Sequence, residues 1–204
     1  MILNIRGTSG SGKSTLVRNI MALYGPPMKV RVPDRKQPLM YICPRLEHQC
    51  EACQDDPEGT CERARSLAVI GHYETPCGGC DTIPSLDRVY EVVREAHRGG
   101  YDVLYEGLLV SAEVNRCVAL AREVGLDNLE VIALDVPLEL CLESVNARRH
   151  ARDPDKPPVN PKNTISKHKG TQSSSRRLIE SGVTVHVVSE RDRGLALARA
   201  ALRA

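Results

Sequence analysis

Gly7-Thr8-Ser9-Gly10-Ser11-Gly12-Lys13-Ser14 matches the phosphate-binding pattern G-x-x-x-x-G-K-[ST] at every fixed position. The stretch follows the largely apolar run 2–5 and precedes a helical pattern, which is the setting that this loop requires. Its glycines let backbone N–H groups turn toward phosphate oxygens, and the helix N-terminus behind them adds a partial positive charge. The motif therefore predicts a phosphate-binding loop, or P-loop. The alternative is a glycine-rich turn that binds nothing.

The motif also predicts roles for individual residues. We expect Lys13, at an exposed position in the cleft, to reach the β- and γ-phosphates of ATP, and Ser14 to hold Mg²⁺. The predicted nucleotide-binding residues are Gly7, Ser9, Gly10, Ser11, Gly12, Lys13, Ser14 and Thr15.

Length and composition indicate one domain with one insertion. The chain has 204 residues, which is enough for one sizeable core. Its formal net charge is +2. A net charge this small does not indicate a nucleic-acid or membrane partner, so any basic surface is expected to be local. A strand that begins at Ile2 is not a signal peptide, and no apolar stretch approaches the roughly 20 residues that span a bilayer. We therefore expect a soluble, cytoplasmic protein without a membrane partner.

Alternating strand and helix patterns predict an α/β fold. The predicted strands cover 2–5, 29–32, 39–42, 67–70, 102–105, 129–136 and 183–188. The predicted helices run from the P-loop to Gly25, from Pro84 to Gly99, from Ser111 to Val124 and from Pro137 to Arg149, with one that ends before Gly182 and one that Ser189 caps. A mobile loop is expected over 151–163. The alternation predicts a P-loop NTPase fold, with a parallel sheet, helices on both faces and ligands at the carboxyl ends of the strands.

Three carboxylates are candidates for the catalytic site. Glu106 ends a predicted strand, where it would hold Mg²⁺ through water or steer an acceptor; the alternative is a solvated strand-end acid. Asp34 follows the second predicted strand and is either a general base or a turn residue. Asp81 follows two glycines and either approaches an acceptor or caps the helix predicted at Pro84.

The arginine-rich segment 148–163 is expected to act as a lid. Arg148, Arg149 and Arg152 lie at the end of a predicted helix and the start of a proline-rich loop. Guanidinium groups there would fold over phosphates and neutralise charge in the transition state; alternatively, they are solvated residues at a helix C-terminus. The lid, the short chain and Glu106 favour a kinase, which passes a phosphoryl group to a bound acceptor, over an NTPase that passes it to water.

Most of the cysteines fall in a polar insertion, 43–80. One predicted set of structural Zn²⁺ ligands is Cys43, Cys50, Cys53 and Cys61; the alternative set is Cys50, Cys53, Cys77 and Cys80, and His48 could replace one thiolate in either. A segment this poor in apolar residues cannot build its own core, and zinc would supply the missing folding free energy. The other interpretation is a flexible loop with unligated cysteines. Cys117 and Cys141 are expected to be core residues.

These residues, taken in order along most of the chain, resemble the adenylate- and thymidylate-kinase-like group of the P-loop kinase superfamily. The resemblance rests on the P-loop, Glu106, Asp135-Val136-Pro137 and the arginines that follow. The stretches His72-Tyr73-Glu74, Gly78 to Ile83 and Tyr105 to Ser111 are similar to stretches in bacteriophage kinases, including those that phosphorylate 5-hydroxymethyluracil in DNA. The chain lacks the Asp-Arg-Tyr or Asp-Arg-His of thymidylate kinases after its third core strand, so thymidylate is not the expected acceptor.

The resemblance implies an ATP- and Mg²⁺-dependent kinase whose acceptor lies near Asp34, Asp81 and Glu106. The expected acceptor is the hydroxymethyl group of 5-hydroxymethyluracil in phage DNA, and the expected location is the host cytoplasm. Two alternatives stay open. One is a kinase for free nucleotides or small metabolites, and the other is a regulatory ATPase that associates with nucleic acid through the cysteine module.

Overall fold

The computed structural model describes residues 1–33, 35–46, 65–75 and 78–204. Its strands are β1 Ile2–Gly7, β2 Met28–Val30, β3 Met40–Cys43, β4 Leu67–Ile70, β5 Asp102–Glu106, β6 Leu129–Leu134 and β7 Thr184–Val188. Its α-helices are α1 Lys13–Met21, α2 Leu86–Arg98, α3 Leu108–Ala112, α4 Asn115–Val124, α5 Leu138–Arg152, α6 Pro161–Glu180 and α7 Arg191–Leu202. None of the helices in these stretches is long and apolar enough to cross a membrane.

The strands of the described stretches form one sheet in the order β2-β3-β4-β5-β1-β6-β7. β1 lies in its parallel part and pairs with β5 and β6, while β4 and β7 extend this part on either side. β3 pairs antiparallel with both β2 and β4. The prediction of a mainly parallel α/β sheet is confirmed. Its register sets Ile5 of β1 opposite Glu106 of β5, so the ends of these two strands lie side by side.

Helices cover both faces of the sheet, and β1 is therefore buried along its whole length. On one face, Leu3 and Ile5 belong to a core cluster that includes Leu16 of α1 and residues of α7. On the other face, Ile2 belongs to a cluster that includes residues of α2, α4 and α6. The first cluster anchors α1 on the sheet, and α1 in turn fixes the position of the P-loop that precedes it.

Buried polar side chains occupy the second face near the end of β1. Arg6 is fully buried; its Nε donates to Asn4 Oδ1 at 2.5 Å and its Nη1 to the Glu113 carbonyl at 2.5 Å. Asn4 in turn donates to the Tyr105 carbonyl at 3.1 Å. A buried guanidinium is costly unless such hydrogen bonds replace its lost hydration. Arg6 therefore ties β1 to the segment between α3 and α4.

The two apolar runs that flank the cysteine-rich insertion form the predicted hairpin. β3 pairs antiparallel with β4, with Cys43 opposite Leu67. Several residues with predicted roles lie outside the described stretches, namely Asp34, His48, Cys50, Cys53, Cys61 and Cys77. The roles assigned to these residues stay predictions.

The predicted helix cap at Ser111 is wrong. Ser111 lies inside α3 and is fully buried. Its Oγ donates to the Gly107 carbonyl at 2.7 Å and accepts the Gly7 N–H at 3.2 Å. The hydroxyl thus connects the ends of β1 and β5, and the single helix predicted here is divided into α3 and α4.

Two boundaries near the C-terminus also differ from the prediction. The cap position of α7 is occupied by Glu190 and not by Ser189. The loop predicted over 151–163 is shorter, because α5 continues to Arg152 and α6 begins at Pro161. Proline is favoured in the first turn of a helix, where its missing N–H has no intrahelical partner to lose.

Candidate active site

The P-loop connects the end of β1 to the start of α1 at the carboxyl edge of the parallel strands. Gly10 and Gly12 have φ angles of 88° and 90°, a left-handed conformation that glycine adopts without strain. A Cβ atom at Gly10 would lie 2.2 Å from the carbonyl oxygen of Cys141. Backbone conformation and the close approach of α5 therefore explain two of the glycines in the motif.

Lys13 lies at the floor of the cleft, and the prediction that it is exposed is wrong. The residue is 8% exposed, and its Nζ donates to the carbonyls of Gly7 at 2.9 Å and Thr8 at 3.0 Å. Burial lowers the pKa of Lys13, and the carboxylates of Glu106 and Asp81 oppose this effect. The ammonium group is thus held within the P-loop by backbone oxygens, which phosphate oxygens can replace as partners.

Ser14 and Glu106 join the P-loop helix to the end of β5. Ser14 Oγ donates a hydrogen bond to Glu106 Oε1 at 2.7 Å. Glu106 is 1% exposed; burial raises its pKa, and the charge of Lys13 and the bond from Ser14 partly offset this rise. Hydroxyl and carboxylate oxygens are the ligands that Mg²⁺ prefers in proteins, so this pair fits the predicted magnesium site.

Asp81 faces the cleft and caps α3. Its two carboxylate oxygens accept the Leu108 N–H at 2.8 and 2.9 Å, and one also accepts the Leu109 N–H at 3.3 Å. The alternative interpretation, that Asp81 caps α2, is wrong, because Ser85 occupies that cap position and accepts the Arg88 N–H. Gly79, two residues earlier, packs so closely that a Cβ atom there would lie 2.6 Å from Glu106 Oε1. The turn around Asp81, the end of β5 and the start of α3 therefore form one connected wall.

Arg18 connects α1 to the segment that follows β4. Its guanidinium group donates to the carbonyls of Ser14 at 3.3 Å, Tyr73 at 3.3 Å and Thr75. The same group lies over the ring of Tyr73, 5.8 Å from the ring centroid. Several contacts made by one planar guanidinium group restrain its partners more strongly than a single bond would. Arg18 thus fixes this segment relative to the P-loop.

These residues line a cleft of about 1060 Å³ at the carboxyl edge of the parallel strands. The P-loop residues 9–15 and the segment 189–192 line one part of the cleft. Gly78, Asp81 and Leu108 line another part, and α5 completes the wall. Sites for one small ligand have volumes of about 300 to 1,000 Å³. The volume of this cleft therefore lies at the upper end of that range.

Of the two predicted catalytic arginines in the lid segment, Arg148 lines the cleft and Arg152 does not. Arg148 lies on α5, donates to the Ser144 carbonyl at 3.3 Å and is near enough to lower the pKa of Lys13. Arg152 is the exposed last residue of α5. The structure therefore brings only Arg148 to the P-loop, and closure of the segment 148–163 stays a prediction.

The two predicted zinc ligands within the described stretches are core thiols. Cys43 packs in the cluster that contains α1, and burial raises its pKa to about 11. Cys80 packs in the cluster on the opposite face, and burial raises its pKa well above the ordinary value. Cys117 and Cys141 are buried, as predicted. Within the part of the chain that the structure describes, no three His, Cys, Asp or Glu side chains form a group that could hold a metal ion.

The sequence analysis did not identify Arg18 or Arg191 as cleft residues. Arg18 lies one helical turn after Ser14, so helical periodicity would have placed both on one face of α1. Arg191 begins α7 immediately after β7; a Cβ atom at Gly12 would lie 2.9 Å from its Cδ. Arg191 could have been predicted as a cleft residue because it follows the carboxyl end of a parallel strand, where ligands bind in such sheets.

Comparison with known proteins identified two similar phage proteins. A protein named 5-hmdU DNA kinase from Pseudomonas phage PaMx11 is 53% identical over 191 residues, which cover 94% of this chain and 91% of that protein. A protein of the same name from Pseudomonas phage M6 is 28% identical over 196 residues, which cover 90% of this chain and 88% of that protein. No protein-family model matches the chain.

Glu106→Gln is expected to raise the melting temperature of the ligand-free protein at neutral pH. Because burial raises the pKa of Glu106 above its ordinary value of 4.5, the folded state binds this proton more tightly than the unfolded state does. The resulting stabilisation is complete below the unfolded pKa and is lost as the pH rises through the folded pKa. The Gln variant does not lose stability in this way. The melting temperature of the variant minus that of the wild-type protein should therefore grow from acidic to neutral pH.

Glu143→Gln is the matched control, because Glu143 is an exposed carboxylate that lines the same cleft. Its melting temperature should follow the wild-type pH dependence. If Glu106→Gln destabilises the protein equally at acidic and neutral pH, Glu106 does not bear the burial penalty described here.

Proposed function

This chain belongs to the 5-hmdU DNA kinase family, and from that membership we propose that it transfers the γ-phosphoryl group of ATP to the hydroxymethyl oxygen of 5-hydroxymethyluracil in DNA. The observation that carries the proposal is the placement of Lys13, Ser14 and Glu106 together in one cleft, where Lys13 and Glu106 are buried and Ser14 bonds to Glu106. A P-loop kinase fold is part of the proposal. It is supported by the loop between a central parallel strand and a helix, and by the carboxylate on the neighbouring strand.

The two parts of the cleft suit the two substrates. Backbone N–H groups of the P-loop and the Lys13 ammonium favour the triphosphate of ATP, since both are positive groups that face the same space. The segment 189–192 lies beside the P-loop and would contact the rest of ATP. The acceptor then occupies the part lined by Gly78, Asp81 and Leu108. Arg148, which also lines the cleft and lies near Lys13, would neutralise charge that develops during transfer.

The chemistry is an in-line displacement at phosphorus. The hydroxymethyl oxygen forms a bond to the γ-phosphorus as the bond from that phosphorus to the β,γ-bridging oxygen breaks, and the products are ADP and phosphorylated DNA. The acceptor hydroxyl loses its proton in this step. Glu106 is the proposed proton acceptor, because its carboxylate lines the cleft close to Lys13 and Asp81. Asp81 orients the acceptor side through its bonds to α3, and Asp34 remains a second candidate for the base.

A magnesium ion fits the oxygen ligands at the floor of the cleft. Ser14 would hold the ion, and the Glu106 carboxylate beside it adds negative charge that favours a cation there. When bound, Mg²⁺ neutralises charge on the β- and γ-phosphates. Water must be kept from the same space, since its attack would convert the kinase into an ATPase. The wall formed by Gly79, Asp81 and Glu106 narrows that access.

Transfer of labelled γ-phosphate tests the proposed function. The wild-type protein is incubated with γ-labelled ATP and either an oligonucleotide with one 5-hydroxymethyluracil, the same oligonucleotide with thymine, or the free hydroxymethyl nucleotide. We expect label on the first substrate alone. Lys13→Ala should lower kcat/KM about 10²- to 10³-fold, since it removes a positive group from the developing charge. Lys169→Ala, which removes an exposed lysine of α6, should leave kcat/KM unchanged.

Other outcomes of this assay identify the rival functions. Label on the free nucleotide alone indicates a small-molecule kinase. Label released only as inorganic phosphate, with a rate that depends on DNA, indicates a nucleic-acid-associated ATPase. Full activity of a folded Lys13→Ala variant would show that the P-loop does not bind the donor phosphates.

We also propose that the cysteine-rich insertion binds one structural Zn²⁺ ion, supported by its two C-x-x-C pairs. Both predicted ligand sets share Cys50 and Cys53, so Cys50→Ser or Cys53→Ser should lose the metal. The measurement is the zinc content of protein purified without chelator, with Cys117→Ser as a control outside the insertion. Equal zinc content in the Cys50→Ser variant and the wild-type protein, or zinc-free wild-type protein, would contradict the proposal.

A further inference from the structure

The depth of the cleft restricts how a DNA base can reach it. This argument rests on the proposed function, in which the hydroxymethyl oxygen must approach Lys13 and Glu106. These two residues are 8% and 1% exposed and lie on the floor of a concave site. In B-form DNA the 5-substituent of a pyrimidine lies in the major groove, which is about 12 Å wide and admits one helix or a two-stranded ribbon. The P-loop lies below the rim of a cleft, so it cannot enter the major groove as a projecting helix or ribbon would.

We propose that the protein phosphorylates a nucleotide extruded from the base stack, and that Leu109 occupies the space that the extruded base leaves. Enzymes that act on a base inside duplex DNA generally rotate the nucleotide into a pocket. Apolar side chains that enter the stack are a recurrent means of holding such distorted DNA open. The substrate class is therefore a single displaced nucleotide, from duplex or single-stranded DNA.

Leu109 is a highly exposed apolar residue next to the acceptor side of the cleft. Its side chain is 62% exposed, the largest exposed fraction among the large hydrophobic side chains of the described residues. The preceding residue, Leu108, lines the cleft beside Asp81. Leu109 thus lies at the rim on the acceptor side, where DNA must rest if one of its nucleotides enters the cleft.

The backbone at Leu109 is anchored by hydrogen bonds and by the packing of the residues that follow it. Asp81 accepts hydrogen bonds from the N–H groups of both Leu108 and Leu109. The next turn of α3 is anchored by the buried side chains of Val110 and Ser111. A mobile leucine would lose conformational entropy on insertion, whereas a leucine on a fixed backbone loses less.

A positive group lies on the same rim. Arg35 donates from Nη1 to the Thr82 carbonyl at 2.9 Å and from Nη2 to Thr82 Oγ1 at 3.3 Å. Thr82 directly follows Asp81, so the Arg35 guanidinium lies near the cap of α3. A guanidinium group here suits a phosphate of the DNA backbone next to the displaced nucleotide. The chain needs no large basic face for this contact, which agrees with its formal net charge of +2.

The test compares single-stranded and duplex DNA of one sequence, each with one 5-hydroxymethyluracil. Leu109→Ala should keep single-strand kcat/KM within about twofold of the wild-type value and lower duplex kcat/KM at least about tenfold, since unstacking costs a few kcal/mol. Leu109→Met, which keeps a long apolar side chain, should restore duplex activity. Leu126→Ala is the control, since Leu126 is also exposed but lies just before β6, at the end of that strand opposite the cleft.

A second measurement reports on base extrusion itself. A duplex with 2-aminopurine beside the modified base should gain fluorescence on binding wild-type protein, and this gain should be lost with Leu109→Ala. If Leu109→Ala lowers kcat/KM equally on single-stranded and duplex DNA, or lowers it on neither, the proposed role of Leu109 is wrong. An unchanged fluorescence of a duplex that is phosphorylated would overturn extrusion. Label on neither form of DNA would instead reject the proposed function.

Discussion

A carboxylate buried at the end of β5 needs partners within hydrogen-bond reach, and Glu106 finds them in the P-loop. The register of β1 and β5 brings the two strand ends together, so Ser14 lies 2.7 Å from Glu106 Oε1. Lys13 lies close enough to oppose the rise in the pKa of Glu106 that burial causes. The same burial accounts for Gly79, where any side chain would collide with Glu106. The architecture of the cleft floor follows from this single electrostatic requirement.

The acceptor side depends on the same arrangement. Because Gly79 packs on Glu106, the following turn places Asp81 where it caps α3, and α3 then presents Leu108 to the cleft and Leu109 to solvent. Glu106 at the floor of the cleft is therefore connected to Leu109 at its rim through the contacts of Gly79 and Asp81. A deep, concave site with a hydrogen-bonded rim suits a substrate that enters as one displaced nucleotide. It is poorly shaped for an undistorted duplex.

Sequence alone was sufficient where a feature depends on local pattern. A glycine-rich loop between a strand and a helix, Glu106 at a strand end and the hairpin of β3 and β4 follow from motif, strand periodicity and turn residues, and the structure contains each. It was insufficient where distant segments determine the role of a side chain. Asp81 caps a helix 27 residues away, and Ser111 bonds the ends of two strands, so local capping patterns could identify neither contact. Arg18 depends likewise on carbonyls that lie far along the chain.

A crystal structure of the protein with a non-hydrolysable ATP analogue and an oligonucleotide that contains 5-hydroxymethyluracil tests the account most directly. The account predicts that the modified nucleotide lies outside the base stack, with its hydroxymethyl oxygen between Glu106 and the γ-phosphorus and in line with the β,γ-bridging oxygen. It further predicts that Lys13 has exchanged its backbone carbonyl partners for phosphate oxygens. A complex in which the analogue binds away from the P-loop, or in which the hydroxymethyl group remains in the duplex far from Glu106, would contradict it.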